Sequence, residues 1–166
     1  MSISSTSRKA GPYTGNGSTT VLPFSFKVFT SADVRVVRTD LAGVESDLTL
    51  TTDYTVTLNA DQDSNPGGTV TLVTAAATGF LTTITSVVAD LQPVVLTNAG
   101  GFYPSVINTA LDRLTIMVQQ VAEKVGRAIK VNISSTTSAD ELVNNITAIG
   151  NNLGIIESSA ASASVD

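Results

Sequence analysis

Cysteine and histidine are both absent from this chain of 166 residues. Without cysteine there are no disulfide bonds and no thiolate metal sites, and without histidine there is no usual partner for a nucleophilic serine. Charged residues are also scarce, at 14% against roughly 25% in average domains. A surface so poor in charge is often covered by neighbouring subunits, or built from threonine, serine and asparagine.

The acidic balance and the short apolar runs exclude further classes of protein. A net charge of -5 argues against a nucleic-acid partner, because nucleic acids require a basic face. No apolar run approaches the roughly 18 residues that a membrane-spanning helix needs, and residues 1–12 lack the apolar segment of a secretory signal. We therefore predict a protein that is made in a cytoplasm, or held in a particle assembled there, and that has no membrane partner.

Residues 13–97 predict strands that are separated by turns. Residues 53–59 alternate strictly between apolar and polar side chains, and residues 19–26 place Val21, Phe24 and Phe26 near one core. Further strands are expected at 33–39, 47–50, 69–73 and 80–88. Strands at intervals of roughly 8–12 residues indicate an antiparallel, sandwich-like domain. We expect six or seven strands with mostly hairpin connections.

Two irregular segments flank these strands. Residues 1–12 are rich in serine and threonine and predict a flexible arm, in which Arg8 and Lys9 are solvated or contact an acidic neighbour. Residues 90–103 predict a linker because they contain prolines and a glycine pair. The linker is too apolar for a free loop, so its hydrophobic residues should lie along the sheet or in a subunit contact. These residues are Leu91, Val94, Val95, Leu96 and Phe102.

A heptad pattern organises the helix that we predict at residues 104–130. Its apolar residues, the first seam, recur at alternating gaps of four and three, which keeps one stripe of the helix facing a partner helix. The first seam consists of Ile107, Leu111, Leu114, Val118, Val121, Val125 and Ala128. Ile116, Met117 and Ile129 lie off the seam, so the helix should also pack on the β domain or in a wider bundle. A single antiparallel helix pair within one chain is the other interpretation.

Two charged residues, Asp112 and Arg113, lie at the start of this helix. They form either a solvated surface pair or contacts with the sheet or an adjacent chain.

A second heptad helix follows a polar break at residues 131–137. Ser138 and Glu141 have the spacing of a capping box. The second seam consists of Leu142, Ile146, Ile149, Leu153 and Ile156. Isoleucine or leucine at a positions, with isoleucine at d positions, favours three or four strands over two. Gly150 and Gly154 each weaken the helix by about 1 kcal/mol relative to alanine, so it needs partner chains or the first helix. Residues 157–166 are expected to fray.

Candidate chemical sites are weak in this sequence. Residues 61–67 begin like a calcium loop, but Pro66 stands where the loop needs glycine and Leu72 where it needs glutamate. Several aspartates could in principle pair as in a glycosidase, yet no spacing singles out a pair. These are Asp47, Asp53, Asp61, Asp63 and Asp90. We therefore predict that the chain is not an enzyme and binds no metal or cofactor.

A carbohydrate-binding module on an oligomeric stalk is the alternative function. Sugar faces usually stack on exposed aromatic rings, and the chain has three tyrosines and no tryptophan. Tyr13, Tyr54 and Tyr103 would have to form the platform.

Four segments in order resemble the N-terminal virion-anchoring domain of tail fibres and tailspikes of short-tailed bacteriophages. They are the hairpin sequence at 14–26, the strands at 52–56 and 67–72, and the helix core ALDRLTIMVQ at 110–119. The resemblance covers residues 11–131. It implies a homotrimer whose β domains dock on the phage tail, near the tail tube, portal-adaptor and nozzle proteins, and whose helices project a fibre. The last strand lacks the arginine that family members usually carry.

The sequence patterns and the resemblance together predict how the chain is divided. We expect an α+β protein in which an antiparallel β-sandwich-like domain precedes helices that form a trimeric coiled coil. The parts are a flexible arm (1–12), the β domain with its linker (13–103), a heptad helix (104–130), and a break with a second heptad helix and tail (131–166). Because the sequence carries no receptor-binding or depolymerase region, we expect a virion anchor or adaptor, assembled in the host cytoplasm. A separate distal fibre or tailspike would dock through residues 138–166.

Overall fold

A computed structural model of the protein describes residues 3–95, 103–128 and 138–163. The chain divides into two compact units, Met1–Gly126 and Arg127–Asp166. Among the described residues, the first unit contains seven strands, a short 3-10 helix (Ser31–Asp33) and one α-helix, and the second contains one α-helix. Within the described ranges, neither helix combines the length and apolarity needed to span a bilayer.

The seven strands form two antiparallel sheets. They are β1 (Lys9–Thr14), β2 (Val21–Phe24), β3 (Val34–Thr39), β4 (Glu45–Asp47), β5 (Tyr54–Leu58), β6 (Gly68–Leu72) and β7 (Leu81–Ser86). The larger sheet has the order β1-β7-β3-β4 and the smaller one has the order β2-β6-β5. The predicted α+β class with an antiparallel N-terminal β domain is therefore confirmed.

The two sheets share one hydrophobic core. In the larger sheet, Val36 and Ile84 lie opposite each other and are both fully buried. In the smaller sheet, Val70 lies between Leu22 and Val56. This arrangement follows from the period of two along each strand, which sends alternate side chains into the space between the sheets.

The connections differ from the expected hairpins. Among the described strands, β3–β4 and β5–β6 are the sequential hairpins, and the other connections pass from one sheet to the other. Crossing between layers distributes consecutive apolar strands over both sheets, so each sheet gains a face to bury. Val21 is also a correction, since it is 53% exposed and Leu22 occupies the buried position instead. Pro23 lies on the edge strand β2, as its missing N–H predicts.

The segment predicted as an arm is partly structured. Lys9 and Ala10 pair with Thr85 and Ile84 of β7, so residues 9–12 belong to β1. Without β1, the edge of β7 would present unpaired backbone groups. Arg8, expected to be solvated or to contact an acidic neighbour, is 2% exposed.

The two helices are α1 (Pro104–Gly126) and α2 (Ala139–Ala163). Helix α1 ends before the predicted residue 130, and the predicted break at 131–137 lies outside the described residues. At the start of α2, the Glu141 N–H donates to Ser138 Oγ at 3.1 Å, as the capping box predicts. Residues 157–166 were expected to fray, but α2 continues through residue 163. The stretch 157–163 contains several alanines, which are the best helix formers.

Candidate assembly interface

One face of α1 packs on the β domain, and we call it the docking face. Its buried residues are Asp112, Ile116 and Gln120, which are spaced four apart and therefore form one stripe. Ile116 is fully buried. For Ile116, packing on the β domain is therefore the one of the two predicted arrangements that is observed. Met117 is half-buried, and Ile129 lies outside the described residues.

A buried ion pair joins the docking face to the β domain. Lys27 Nζ lies 2.7 Å from Asp112 Oδ2, and both side chains are less than one-tenth exposed. Lys27 also contacts the exposed carboxylate of Asp63. Burial by itself would lower the pKa of Lys27, but the hydrogen bonds and charges of the two carboxylates outweigh it and raise this pKa. Of the interpretations considered for Asp112, contact with the β domain is therefore the one observed.

Gln120 caps the end of strand β7. Its side-chain Oε1 accepts from the Val88 N–H at 2.7 Å and from the hydroxyl of Ser86. Its Nε2 donates to the Val88 carbonyl at 3.1 Å. One side-chain amide thus serves both backbone groups of Val88, as a neighbouring strand would, so these buried groups do not go unpaired.

The N-terminal segment is fastened to the same face of α1. The Arg8 guanidinium donates to the Lys27 carbonyl at 2.9 Å and to the Ser5 carbonyl at 3.2 Å. Gln119 Nε2 donates to the same Ser5 carbonyl at 3.3 Å. Arg8 also lies 5.7 Å from the centre of the Phe26 ring. Burial lowers the pKa of Arg8, but from a value so high that the group remains charged.

Arg113 holds the beginning of the linker against α1. Its Nη1 donates to the Ala89 carbonyl at 3.0 Å, and its guanidinium lies 5.1 Å from the centre of the Phe29 ring. Asp112 and Arg113 therefore contact different parts of the β domain. Neither residue forms the solvated surface pair that was one of the two interpretations.

The first seam lies on the face of α1 opposite the docking face. A helix turns by about 100° per residue, which places Leu114, Val121 and Val125 roughly opposite Asp112, Ile116 and Gln120. The seam residues Leu111, Leu114, Val118, Val121 and Val125 are 49–61% exposed, and Ile107 is half-buried. The structure therefore brings the predicted residues together on one exposed apolar stripe. Ala128, the last of them, lies beyond the end of α1 and is exposed.

The second seam is exposed along α2. Ile146, Ile149 and Leu153 are each more than half exposed, and Leu142 is half-buried. The side chain of Ile156 lies outside the described residues. In a single chain, the first and the second seam both leave apolar side chains exposed to water. Such exposure marks interaction surfaces.

Two of the residues considered for other functions, Tyr54 and Asp61, have structural partners. Tyr54 is 2% exposed and its hydroxyl donates to the Val34 carbonyl at 2.7 Å, so it cannot contribute to a sugar-binding platform. In the calcium-like loop, Asp61 Oδ1 accepts from the N–H groups of Asp63 and Ser64. A hydrogen bond from the Ser64 side chain, followed by those from the two backbone N–H groups, lowers the pKa of Asp61. The loop is therefore an aspartate-capped turn.

The sequence alone did not identify the structural roles of Lys27, Gln120 and Arg8. Lys27 interrupts the apolar stretch FSFKVF, and an isolated charge there is the signal that could have been read as a buried pair. Gln120 has no comparable signal, because a glutamine on a helix is usually solvated. Its partner groups belong to the backbone of residue 88, which the sequence does not place.

Most of this chain is similar to a small part of a phage tail protein. No protein-family model matches the chain. Over 118 residues the chain is 36% identical to the tail spike protein of Salmonella phage epsilon15. The matched stretch is 71% of this chain and 11% of that protein, so the chain corresponds to a small part of its relative.

Proposed function

We propose that this chain is a homotrimeric anchor or adaptor that attaches a fibre or tailspike to a phage tail, because most of the chain is similar to part of a phage tail spike protein. The role is structural rather than enzymatic. The chain lies in the tail of the virion and is assembled in the host cytoplasm. The similarity supports a structural tail protein, while the trimer and the anchoring role are the proposal.

The two opposite faces of α1 are the observation that carries this proposal. The docking face fixes the helix to the β domain through Asp112, Ile116 and Gln120. The first seam is thereby turned outward in a set orientation. Three such helices can meet around one axis, with the β domains outside, and a closed trimer of identical chains satisfies all its interfaces at once.

The proposed partners contact different parts of the chain. The exposed surface of the β domain and the N-terminal residues would contact the tail, at the tail tube, portal-adaptor or nozzle proteins. Residues 138–166 would receive the distal fibre or tailspike. Both seams together would provide the coiled coil that connects these contacts, and neither nucleic acid nor membrane takes part.

The oligomeric state is the first test. Light scattering of the purified chain should give three times the chain mass of 17.1 kDa. Changing Leu114 and Val121 together to aspartate places charges in the seam, and burying unpaired charges is costly enough to abolish assembly. The double variant should therefore run at one chain mass.

A matched control uses two equally exposed valines of the β domain. Val44 and Val73 are 62% and 66% exposed, and their joint replacement by aspartate should leave the trimer intact. A monomeric parent protein, or loss of assembly in both double variants, would contradict the seam as the interface.

Attachment itself is tested on phage particles assembled without this chain. Added trimer should bind these tails, visible by electron microscopy, and should restore the attachment of the fibre or tailspike. The monomeric double variant, added at the same concentration, should restore neither. Equal binding by trimer and monomer would show that the first seam has no part in anchoring.

A further inference from the structure

An apolar groove lies between α1 and the first residues of the linker. Its volume is about 270 Å³. The linker contributes Leu91, Pro93 and Val94, and α1 contributes Leu111, Leu114 and Met117. Two of the helix residues, Leu111 and Leu114, are also members of the first seam, so the groove opens directly onto the seam.

The beginning of the linker is held beside the helix, but only one of its three described expected-buried side chains is even half-buried: Val94 is half-buried, whereas Leu91 and Val95 are exposed. Arg113 binds the Ala89 carbonyl, which positions the base of the linker against α1. Leu91 is 69% exposed and Val95 is 81% exposed. For Leu91 and Val95, burial along the sheet is therefore not observed, and a contact with another subunit is the expected position that remains. Leu96 and Phe102 lie outside the described residues.

The register of the heptad identifies which part of another subunit fits. With Leu111 at an a position and Leu114 at a d position, Ala110 and Met117 occupy g positions at the edge of the seam beside the groove. Chains related by a three-fold axis run parallel, and in parallel coiled coils a g residue faces an e residue roughly five positions further along the next chain. The e residues Thr115 and Ala122 of a neighbouring copy are therefore expected at this edge.

The side chains at these e positions are small and exposed, so a neighbouring helix can approach the groove closely. We propose that the groove receives the e-position edge of α1 from the next copy, so that residues 91–95 clasp the neighbouring helix. This rests on the proposed trimer and adds a contact that the heptad seam alone does not require. The clasp links each β domain to two helices, its own and that of its neighbour.

Cross-linking between two differently tagged chains tests the clasp. Because the chain has no cysteine, one chain carrying Leu91→Cys and another carrying Thr115→Cys each have a single thiol. After coexpression, a short bis-maleimide should produce a cross-linked product that contains both tags. A chain with Val73→Cys, an exposed residue outside the groove, is the control partner for Thr115→Cys and should give a several-fold lower yield.

Light scattering of the same samples separates the two levels of the proposal. A monomeric mass would overturn the proposed trimer. A trimer in which Leu91→Cys and Val73→Cys cross-link equally poorly to Thr115→Cys would overturn the clasp alone, and the groove would then be open to a different partner. A trimer with selective cross-linking through Leu91→Cys supports the clasp.

Discussion

Helices α1 and α2 carry the same heptad spacing but differ in what supports them. Helix α1 buries Asp112, Ile116 and Gln120 against the β domain and exposes its seam on the other side. Among the described side chains of α2, Leu142 is half-buried and the others are exposed. The heptad pattern therefore predicts that a helix packs on another helix. It does not show whether the rest of the chain fixes the orientation of the helix before assembly.

This difference has a consequence for assembly. Holding a binding element in its bound orientation lowers the entropy cost of association, and the docking face does this for the first seam. Helix α2 also contains Gly150 and Gly154, and an isolated helix of its length with two glycines is marginal in water. We therefore expect the proposed trimer to form first through α1 and to stabilise α2 afterwards.

Removing the buried carboxylate should make α1 resemble α2. Asp112→Ala leaves the buried Lys27 ammonium with the exposed Asp63 as its remaining carboxylate partner. Breaking a buried ion pair typically costs about 3–5 kcal/mol, and we expect the lower end of this range because Asp63 remains. Urea unfolding at fixed protein concentration measures the loss, and hydrogen exchange should show faster exchange of the α1 amides.

An exposed ion pair provides the control for Asp112→Ala. Arg35 and Asp47 form a pair 2.7 Å apart in which both side chains are about half exposed, and such pairs contribute little because water screens them. Asp47→Ala should therefore change the unfolding midpoint much less than Asp112→Ala does. Equal effects of the two variants would mean that the buried pair does not hold α1 in place.

Gln120→Ala should weaken docking by a smaller amount. The change leaves both backbone groups of Val88 without the amide that now serves them, and an unsatisfied buried polar group costs about 1–3 kcal/mol. Water entering the space left by the side chain would recover part of this cost. Thermal unfolding measures the effect, and an unchanged midpoint in Gln120→Ala would contradict this role for the side-chain amide.

Replacing the glycines of α2 should make α2 more like α1, because it should stabilise α2 as a helix. An added Cβ at Gly150 or Gly154 meets no atom within 4 Å in the structure of the chain, so steric cost is absent there. Each glycine-to-alanine change should stabilise the helix by about 1 kcal/mol, raising the helical signal at 222 nm. A drop in stability of the trimer instead would show that partner chains approach α2 closely at these positions.

The sequence predicted the elements well where periodicity carries the information. The alternation around Tyr54 and the heptads of α1 and α2 each correspond to an observed element, because period 2 and period 3.5 identify a strand and a helix locally. The order of strands in the sheets was beyond this reasoning. Pairing of β1 with β7 joins the two ends of the β domain, and such distant contacts leave no local pattern.

The docking face shows why the sequence left half of the candidate interface undecided. Two of its three buried residues, Asp112 and Gln120, are polar, and a polar residue on a helix predicts solvent unless its partner is known. Asp112 meets Lys27, which lies 85 positions away in the sequence, and Gln120 meets backbone groups. The seam was accessible from sequence because apolar residues at heptad spacing need no identified partner to be informative.

Alkaline pH should weaken α1 docking while leaving the α2 unit unaffected, and this is the smallest effect we expect. The Asp112 and Asp63 carboxylates raise the pKa of Lys27 above its ordinary value. A raised pKa stabilises the folded state fully below the unfolded value of about 10.4, and this contribution is lost as the pH rises through the folded pKa. The urea midpoint should therefore fall above roughly pH 10.4.

Burial raises the pKa of Tyr13 and Tyr54 as well, so the tyrosines add a loss of the same sign. The double variant Lys27→Met with Asp112→Leu removes the ion pair and keeps both tyrosines. The difference between the alkaline loss of stability in the parent protein and that in the double variant therefore belongs to Lys27. Identical pH profiles for the variant and the parent would contradict this assignment.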